Sequence, residues 1–250
     1  MTAFEQAALE LLQRRKAGTK APRLDESCRP MNIDDALAIQ TEMANIETVG
    51  GWKCLLPPAE GKIIAAPIFN VQKNSHIVEL FEDRSVARVE PEICFILSQN
   101  IPVKQGSYSE AEIINTIGSA HMALELMQSR YADNAEQSFY ESLADCMLNQ
   151  GVYVGPEIDK KTAINMHNIK IKVTQGDEIR ELDGKHPNER AIDGLLWLVN
   201  YMNSRGVELK AGATIITGSF KGIVNMAFDI ETTIAYESFG EYKVIFKRSK

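Results

Sequence analysis

Arg88-Val89-Glu90-Pro91-Glu92-Ile93-Cys94-Phe95-Ile96-Leu97 is the stretch on which the reading of this chain turns. Its apolar run, Ile93 to Leu97, is short, continuous and bounded by polar residues, the pattern of a buried strand. Side chains alternate along a strand, so Glu90 and Glu92 leave from the same face. Two carboxylates side by side at the mouth of a buried strand repel each other. A hard divalent cation is the simplest group to offset them, because Mg²⁺ and Mn²⁺ prefer oxygen ligands. The plain alternative is a pair of solvated glutamates. Pro91 has no N–H to give to a ladder, which predicts an edge or a bulge at this end.

Around this strand the helices come first and strands dominate later. Thr2 with Glu5 forms a capping box for a helix over residues 2–15, with Phe4, Ala8, Leu11 and Leu12 on its apolar face. A second helix starts at Asn32, carries Asp34 and Asp35 in its first turn and is expected to end at Gly50-Gly51. Gly51 to Leu55 reads as a short strand holding Lys53, and residues 56–84, with their prolines, read as irregular, a possible cap or lid. Ser109 with Glu112 opens a helix to about residue 119. Residues 120–127 fit helix or strand, and Glu125 lies there between two leucines, either exposed or buried with a partner. Residues 129–141 read as a mobile loop able to contribute to a pocket rim.

Further on, Gly151 to Gly155 is a short strand, and residues 167–182 form a hairpin turning at Gln175-Gly176-Asp177. Asn188 to Arg205 reads as a helix with Gly206 just beyond it. Strands follow at 213–217, 223–235 and 242–247. Thr217-Gly218-Ser219, at the end of the first of these, offers hydroxyls and a bare backbone to a ligand, or is a plain turn. Hairpin-type connections outnumber β-α-β units, an α+β pattern.

The composition is that of an ordinary globular chain, 44% hydrophobic and 24% charged, and its net charge of −7 argues against nucleic acid or an anionic membrane as main partner. The four cysteines, at 28, 54, 94 and 146, have no metal-binding spacing. With no long apolar run and no signal-peptide pattern, the expectation is a cytoplasmic protein with free thiols.

The ordered motifs resemble the 2-keto-4-pentenoate hydratase family, within the fumarylacetoacetate hydrolase superfamily. The matching pieces are Gly51-Trp52-Lys53, Val89-Glu90-Pro91-Glu92-Ile93, Leu124 to Arg130, Leu143-Ala144-Asp145 and Gly151 to Gly155. Gly184-Lys185-His186-Pro187, Trp197 to Asn200, and Ala211-Gly212 through Thr217-Gly218-Ser219 complete the set, which runs from about residue 33 to residue 246. The resemblance implies a fumarylacetoacetate-hydrolase-like mixed β-sheet roll, with an N-terminal helical segment, 1–50, packed on a catalytic domain, 51–250. It implies that Glu90, Glu92 and Glu125 bind Mg²⁺ or Mn²⁺ and that residues 120–127 are a strand. Lys53 is then the residue that orients substrate and shuttles a proton, and Thr217, Gly218 and Ser219 bind the substrate carboxylate. The implied activity is hydration of a 2-hydroxy-2,4-dienoate, a step of aromatic catabolism, by a homo-oligomer that is at least a dimer. Decarboxylation of a 2-oxo-3-enedioate is the competing chemistry on the same scaffold.

Several positions depart from the family pattern. Pro67-Ile68-Phe69-Asn70 lacks the acidic residue usual after the proline, and Asp145-Cys146-Met147-Leu148 replaces Asp-Asn-Ala-Ser. Cys54-Leu55-Leu56 follows Lys53 where a glycine is usual two positions on. These changes also raise a different expectation, a catalytically impaired homologue that serves as a binding or assembly subunit. Hydrolysis of an acylpyruvate ranks lower, since none of the histidines, 76, 121, 167 and 186, lies on an N-terminal helix beside a glutamate.

Overall fold

The computed structural model describes residues 1–249. The elements in chain order are helices α1 (Ala3–Ala17) and α2 (Ile33–Ile46), strands β1 (Gly51–Ala59), β2 (Lys62–Ile68), β3 (Val71–Lys73), β4 (Ile77–Leu80) and β5 (Ala87–Leu97), helix α3 (Glu110–Thr116), strand β6 (Ile117–Met127), helix α4 (Phe139–Ala144), strand β7 (Asn149–Ile158) and helix α5 (Lys160–Ile164). Strands β8 (Asn168–Gln175) and β9 (Glu178–Lys185), helix α6 (Asp193–Ser204) and strands β10 (Thr214–Ile216), β11 (Val224–Met226), β12 (Glu231–Tyr236) and β13 (Gly240–Arg248) follow.

An eight-stranded mixed sheet runs in the order β2-β1-β10-β5-β6-β7-β3, with β11 also on β5, and a five-stranded sheet runs β4-β13-β12-β8-β9. β5 and its neighbours divide their residues between two faces, as period-two alternation requires. Val89, Ile93, Phe95 and Leu97 pack into the main core with Ile171, Ile234, Val244 and Phe246 of the smaller sheet. On the other face Cys94 meets Ile68, Ala123, Val152, Val154 and Ile216. Ile68 lies on β2 and Val152 on β7, far apart in strand order, so the large sheet curls with this face inward. Glu90 and Glu92 open onto the same inward face. Tyr236 ties the two sheets together, its hydroxyl donating to the carbonyls of Glu92 (3.2 Å) and Ala123 (3.0 Å).

The N-terminal helices form the next layer. Ala7, Ala8, Leu11 and Leu12 of α1 pack with Ile39 and Met43 of α2 and with Leu143 and Ala144 of α4. The capping box at Thr2 and Glu5 is formed, and Asn32 caps α2. α2 stops at Ile46 rather than at the paired glycines. Gly51 is instead required by close packing: a Cβ there would lie 2.0 Å from the Thr214 carbonyl oxygen of the parallel neighbour β10.

Four expectations are corrected. Residues 56–84 are mostly strand, because their prolines fall where ladder bonds are not needed: Pro57 and Pro58 lie in the register break of β1 between Leu55 and Ala59, Pro67 is on the edge strand β2, and the β1–β2 hairpin turns at Gly61 (φ +68°). Pro91 is in neither an edge nor a bulge, since β5 pairs with β6 in unbroken register through Pro91↔Leu124. On its other side the ladder has a gap between β10 and β11, and there the Pro91 carbonyl accepts from the Phe220 amide (3.1 Å), so a missing donor costs nothing. The expected strand 223–235 is split between the two sheets, with Asp229 (φ +66°) at the break. The helix expected from Asn188 begins at Asp193.

Candidate metal centre

Register brings the acidic residues together. β5 and β6 run antiparallel with Glu90 directly opposite Glu125 and Glu92 opposite Ala123, so all three carboxyl groups share the inward face. One oxygen from each of Glu90, Glu92 and Glu125 lies within 4.8 Å of the others. Lys53 reaches the cluster from β1, where it pairs with Ile216 of β10, itself opposite Cys94 of β5. Its Nζ stands 2.6 Å from Glu125 Oε1 and donates to the Met147 carbonyl at 3.2 Å.

The remaining bonds orient the carboxylates. Glu92 accepts from the Gly218 amide at 2.9 Å, and Glu125 accepts from Asn149 Nδ2 at 2.8 Å. Glu92 and Glu125 are buried, and Glu90 is half-buried at the mouth. Three carboxylates face one ammonium, so the cluster is short of positive charge. Burial, followed by the neighbouring charge of Glu125, lifts the Glu90 carboxyl to about 7. Burial, then Glu125 and Glu90, push Glu92 well above the usual carboxylate range. For Lys53 burial acts downward, but Glu125, and behind it Glu90 and Glu92, outweigh it and leave the ammonium raised.

A divalent cation fits this donor set. The ligands are all oxygens, as hard cations require, and a double positive charge is what the raised carboxyls lack. Among the described residues this is the single cluster of metal-ligating side chains brought within bonding reach of one ion.

The cluster is the polar end of a cavity of about 210 Å³. Leu55, Ile64, Met127, Met147, Pro187 and Ile216 make its apolar wall. Cys54 also borders it, but its side chain is buried in the main core, where its thiol donates to the Ile216 carbonyl (3.5 Å), and burial, reinforced by Glu92, pushes that thiol well above the usual range. None of the four histidines lines the cavity.

The Thr217-Gly218-Ser219 turn reaches the site unevenly. Gly218 and Ser219 line the cavity, whereas Thr217 is buried behind them with its hydroxyl unpartnered. Gly218 has φ +128°, and a Cβ there would meet Pro187 Cγ at 2.8 Å. The Ser219 hydroxyl donates to the Pro91 carbonyl (3.2 Å) and accepts from the Gly222 amide (2.9 Å). The expected rim segment 129–141 contributes no lining residue, and Arg130 and Tyr131 are fully buried. Asn70 does not line the cavity either, and lies in a separate cleft with Arg15 and Gln150. Asn149 was not legible as a site residue, for no motif or pattern in the sequence marks it, whereas Met147 lies in Asp145-Cys146-Met147-Leu148, one of the stretches that depart from the family pattern.

No model of a known protein family matches the chain. It is 25% identical over 240 residues to the 2-keto-4-pentenoate hydratase of Paraburkholderia xenovorans (strain LB400), covering 88% of this chain and 86% of that protein. The 2-oxo-hept-4-ene-1,7-dioate hydratase of Escherichia coli is 24% identical over 218 residues, 76% of this chain and 78% of that one. Among solved structures, 4-oxalocrotonate decarboxylase from Pseudomonas putida G7, complexed with magnesium and adipate, superposes with a TM-score of 0.77 at 16% identity, covering 98% of this chain and 97% of that one. A protein of Yersinia pestis CO92 described as of the fumarylacetoacetate hydrolase family gives a TM-score of 0.50 at 16% identity, over 78% and 91%. The chain is thus similar in sequence to 2-keto-4-pentenoate hydratases over most of both lengths, and its fold is that of the fumarylacetoacetate hydrolase superfamily.

Proposed function

We propose that this protein is a divalent-metal-dependent lyase that hydrates a 2-hydroxy-2,4-dienoate to a 4-hydroxy-2-oxo acid. The observation that carries the reading is the charge-deficient triad of Glu90, Glu92 and Glu125 with Lys53 2.6 Å from Glu125, at the end of a small apolar cavity. The three glutamates would hold Mg²⁺ or Mn²⁺. Bound there, the ion supplies a Lewis acid for the carboxylate and 2-oxo oxygens of the substrate.

The chain's own groups divide the rest of the work. Ketonisation moves the hydroxyl proton of the dienol to C5, the far end of the diene, and hydration then adds the hydroxyl of one water at C4 and its proton at C3. Lys53 Nζ is the proton-carrying cation in the cavity lining, and its bond to the Met147 carbonyl aims it along the wall. Gly218 and Ser219 form the adjoining backbone edge, against which the substrate carboxylate is seated. Leu55, Ile64, Met127, Met147 and Ile216 exclude water from the substrate tail and favour an uncharged one.

That apolar wall also ranks the alternatives. A 2-oxo-3-enedioate brings a second carboxylate, and among the described residues the cavity lining has no cation other than Lys53, which is already paired. Decarboxylation therefore stands second. We take the working form to be a homo-oligomer, a dimer at least, which sedimentation velocity tests.

The experiment is turnover of a 2-hydroxy-2,4-dienoate and a 2-oxo-3-enedioate with Mg²⁺, Mn²⁺ or EDTA, on wild type and Glu92→Ala. The reading expects metal-dependent loss of the dienol with a 4-hydroxy-2-oxo acid as product, absent in the mutant. Release of CO₂ from the enedioate instead would favour decarboxylation. Failure to bind metal would favour a binding subunit, whereas metal binding without turnover of either compound would point to another substrate.

A further inference from the structure

Between Asp145 and Asn149 the backbone does something that side chains normally forbid. Cys146 (φ +58°), Met147 (φ +51°) and Leu148 (φ +69°) lie consecutively in the left-handed region, and none is glycine. L residues visit this region singly and at a cost, so a run of them persists only where surrounding bonds over-determine it.

Most of those bonds come from one side chain. Arg130 is fully buried. Its Nε donates to both carboxylate oxygens of Asp145 at 2.9 Å. Its Nη2 donates to the Asp145 carbonyl (2.7 Å) at the start of the turn, and its Nη1 to the Leu148 carbonyl (3.2 Å) at the end. The Leu148 carbonyl also accepts from the Gln128 amide at 2.9 Å. Arg15 supports the same segment through the Asn149 carbonyl (2.5 Å).

The turn meets the metal centre at two points. The Met147 carbonyl accepts from Lys53 Nζ, and Asn149, the next residue but one, gives its side-chain amide to Glu125. Both members of the Lys53–Glu125 pair are thus held from a segment that Arg130 and Asp145 grip. A Met147 carbonyl in ordinary right-handed or extended backbone would point elsewhere, and Lys53 would keep only Glu125.

We propose that Arg130 and Asp145 are positioning residues for the reaction. By clamping residues 146–148 left-handed, they aim Lys53 into the cavity and fix its pairing with Glu125. This rests on the reading above that Lys53 acts on the substrate. Neither residue lines the cavity, so neither touches substrate.

The test uses the full chain with Mg²⁺ and the dienol. Asp145→Asn keeps the volume and removes the charge that Arg130 holds. We expect kcat per folded molecule to fall about tenfold or more, with KM within about twofold. In a Lys53→Met background the same change should cost less than about twofold of the residual rate, because its effect passes through Lys53. A kcat within about twofold of wild type, or an undiminished loss in the Lys53→Met background, overturns the proposal. Should Asp145→Asn fail to fold, the pair Leu148→Gly and Leu148→Val replaces it. Glycine takes the left-handed φ freely and a β-branched residue resists it, so the valine variant should be about tenfold slower than the glycine one. Equal rates in the two overturn the clamp. A crystal structure of whichever variant folds is independent of turnover. In Asp145→Asn or Leu148→Val, Met147 should leave the left-handed region and its carbonyl should lose Lys53. An unmoved turn and lysine refute the clamp even if the wild type proves to act on another substrate, whereas absent wild-type turnover with a displaced lysine refutes the reaction and not the clamp.

Discussion

Asp83, Glu141 and Asp145 are buried as deeply as Glu92 and Glu125, at 1%, 0% and 1% exposure against 2% and 1%, yet the two groups are opposites in charge balance. Asp83 is held by Lys20 and Arg88, each at 2.6 Å, and Glu141 by Arg23 at 2.6 Å. Asp145 is held by Arg130. Burial acts to raise the Asp83 and Glu141 carboxyls, but these partners outweigh it and hold both below the ordinary value. At Glu90, Glu92 and Glu125 three acids share one lysine, and Glu90 and Glu92 are raised. Burial therefore does not separate a structural acid from a functional one in this molecule. Whether the protein supplies the counter-charge does, and where it does not, a ligand is expected to.

The largest effect separating the two groups is on activity. Glu92→Gln should cut metal-dependent turnover at least about a thousandfold, by removing a ligand from the Lewis acid. The same change should leave the metal-free melting temperature unchanged or higher, since it removes a charge from a repelling cluster. Lys53→Met should cut turnover about a hundredfold or more, the range for loss of a proton-transferring group. Its Mg²⁺ affinity, read by calorimetry, should hold or rise, because the competing ammonium is gone.

Asp83→Asn should do the reverse of Glu92→Gln. Breaking a buried pair and stranding Arg88, while Lys20 keeps only Asp133, costs about 3 kcal/mol, or roughly 10 °C in melting temperature for a chain of this size. The turnover of its folded molecules should equal that of the wild type.

A smaller effect is the pH dependence of stability in EDTA. A carboxyl raised in the folded state binds its proton more tightly there than in the unfolded chain. Glu90 therefore favours folding at low pH, and its contribution is lost as pH rises from 4.5 to about 7. Asp83, lowered in the folded state, has the opposite sign: its contribution is present above 3.8 and is lost as pH falls further. Thermal unfolding without metal should show stability declining from pH 5.5 to 7.5, and Glu90→Gln should flatten that decline. Added Mg²⁺ should raise the melting temperature more at pH 7.5 than at pH 5.5.

The sequence made one of these groups visible and hid the other. Glu90 and Glu92 announce themselves because alternation in a strand puts them on one face, and the capping boxes at Thr2 and Ser109 announce their helices. Glu125 could be joined to the pair only through the ordered motifs it shares with a known family, since antiparallel register is not written in either strand alone. The proline-rich residues 56–84 misled because proline signals a break in a central strand but is tolerated at an edge or a register break, and where those fall depends on the whole sheet. The left-handed turn at Cys146-Met147-Leu148 was illegible for a further reason. Its conformation contradicts the preferences of its own residues and is imposed by Arg130, far outside the local window. Asn149 follows that turn at the start of β7, opposite Met127, and its place beside Glu125 depends on the pairing of the two strands.

The most direct test of the unbalanced cluster is calorimetric titration of Mg²⁺ into EDTA-stripped, dialysed protein at pH 7 in buffers of differing ionisation enthalpy, with Glu92→Gln alongside. A cluster that waits for a cation predicts a single divalent ion per chain, bound with release of protons from the raised carboxyls and lost or greatly weakened in Glu92→Gln. No binding to the wild type, or binding of equal strength to both proteins, would contradict it.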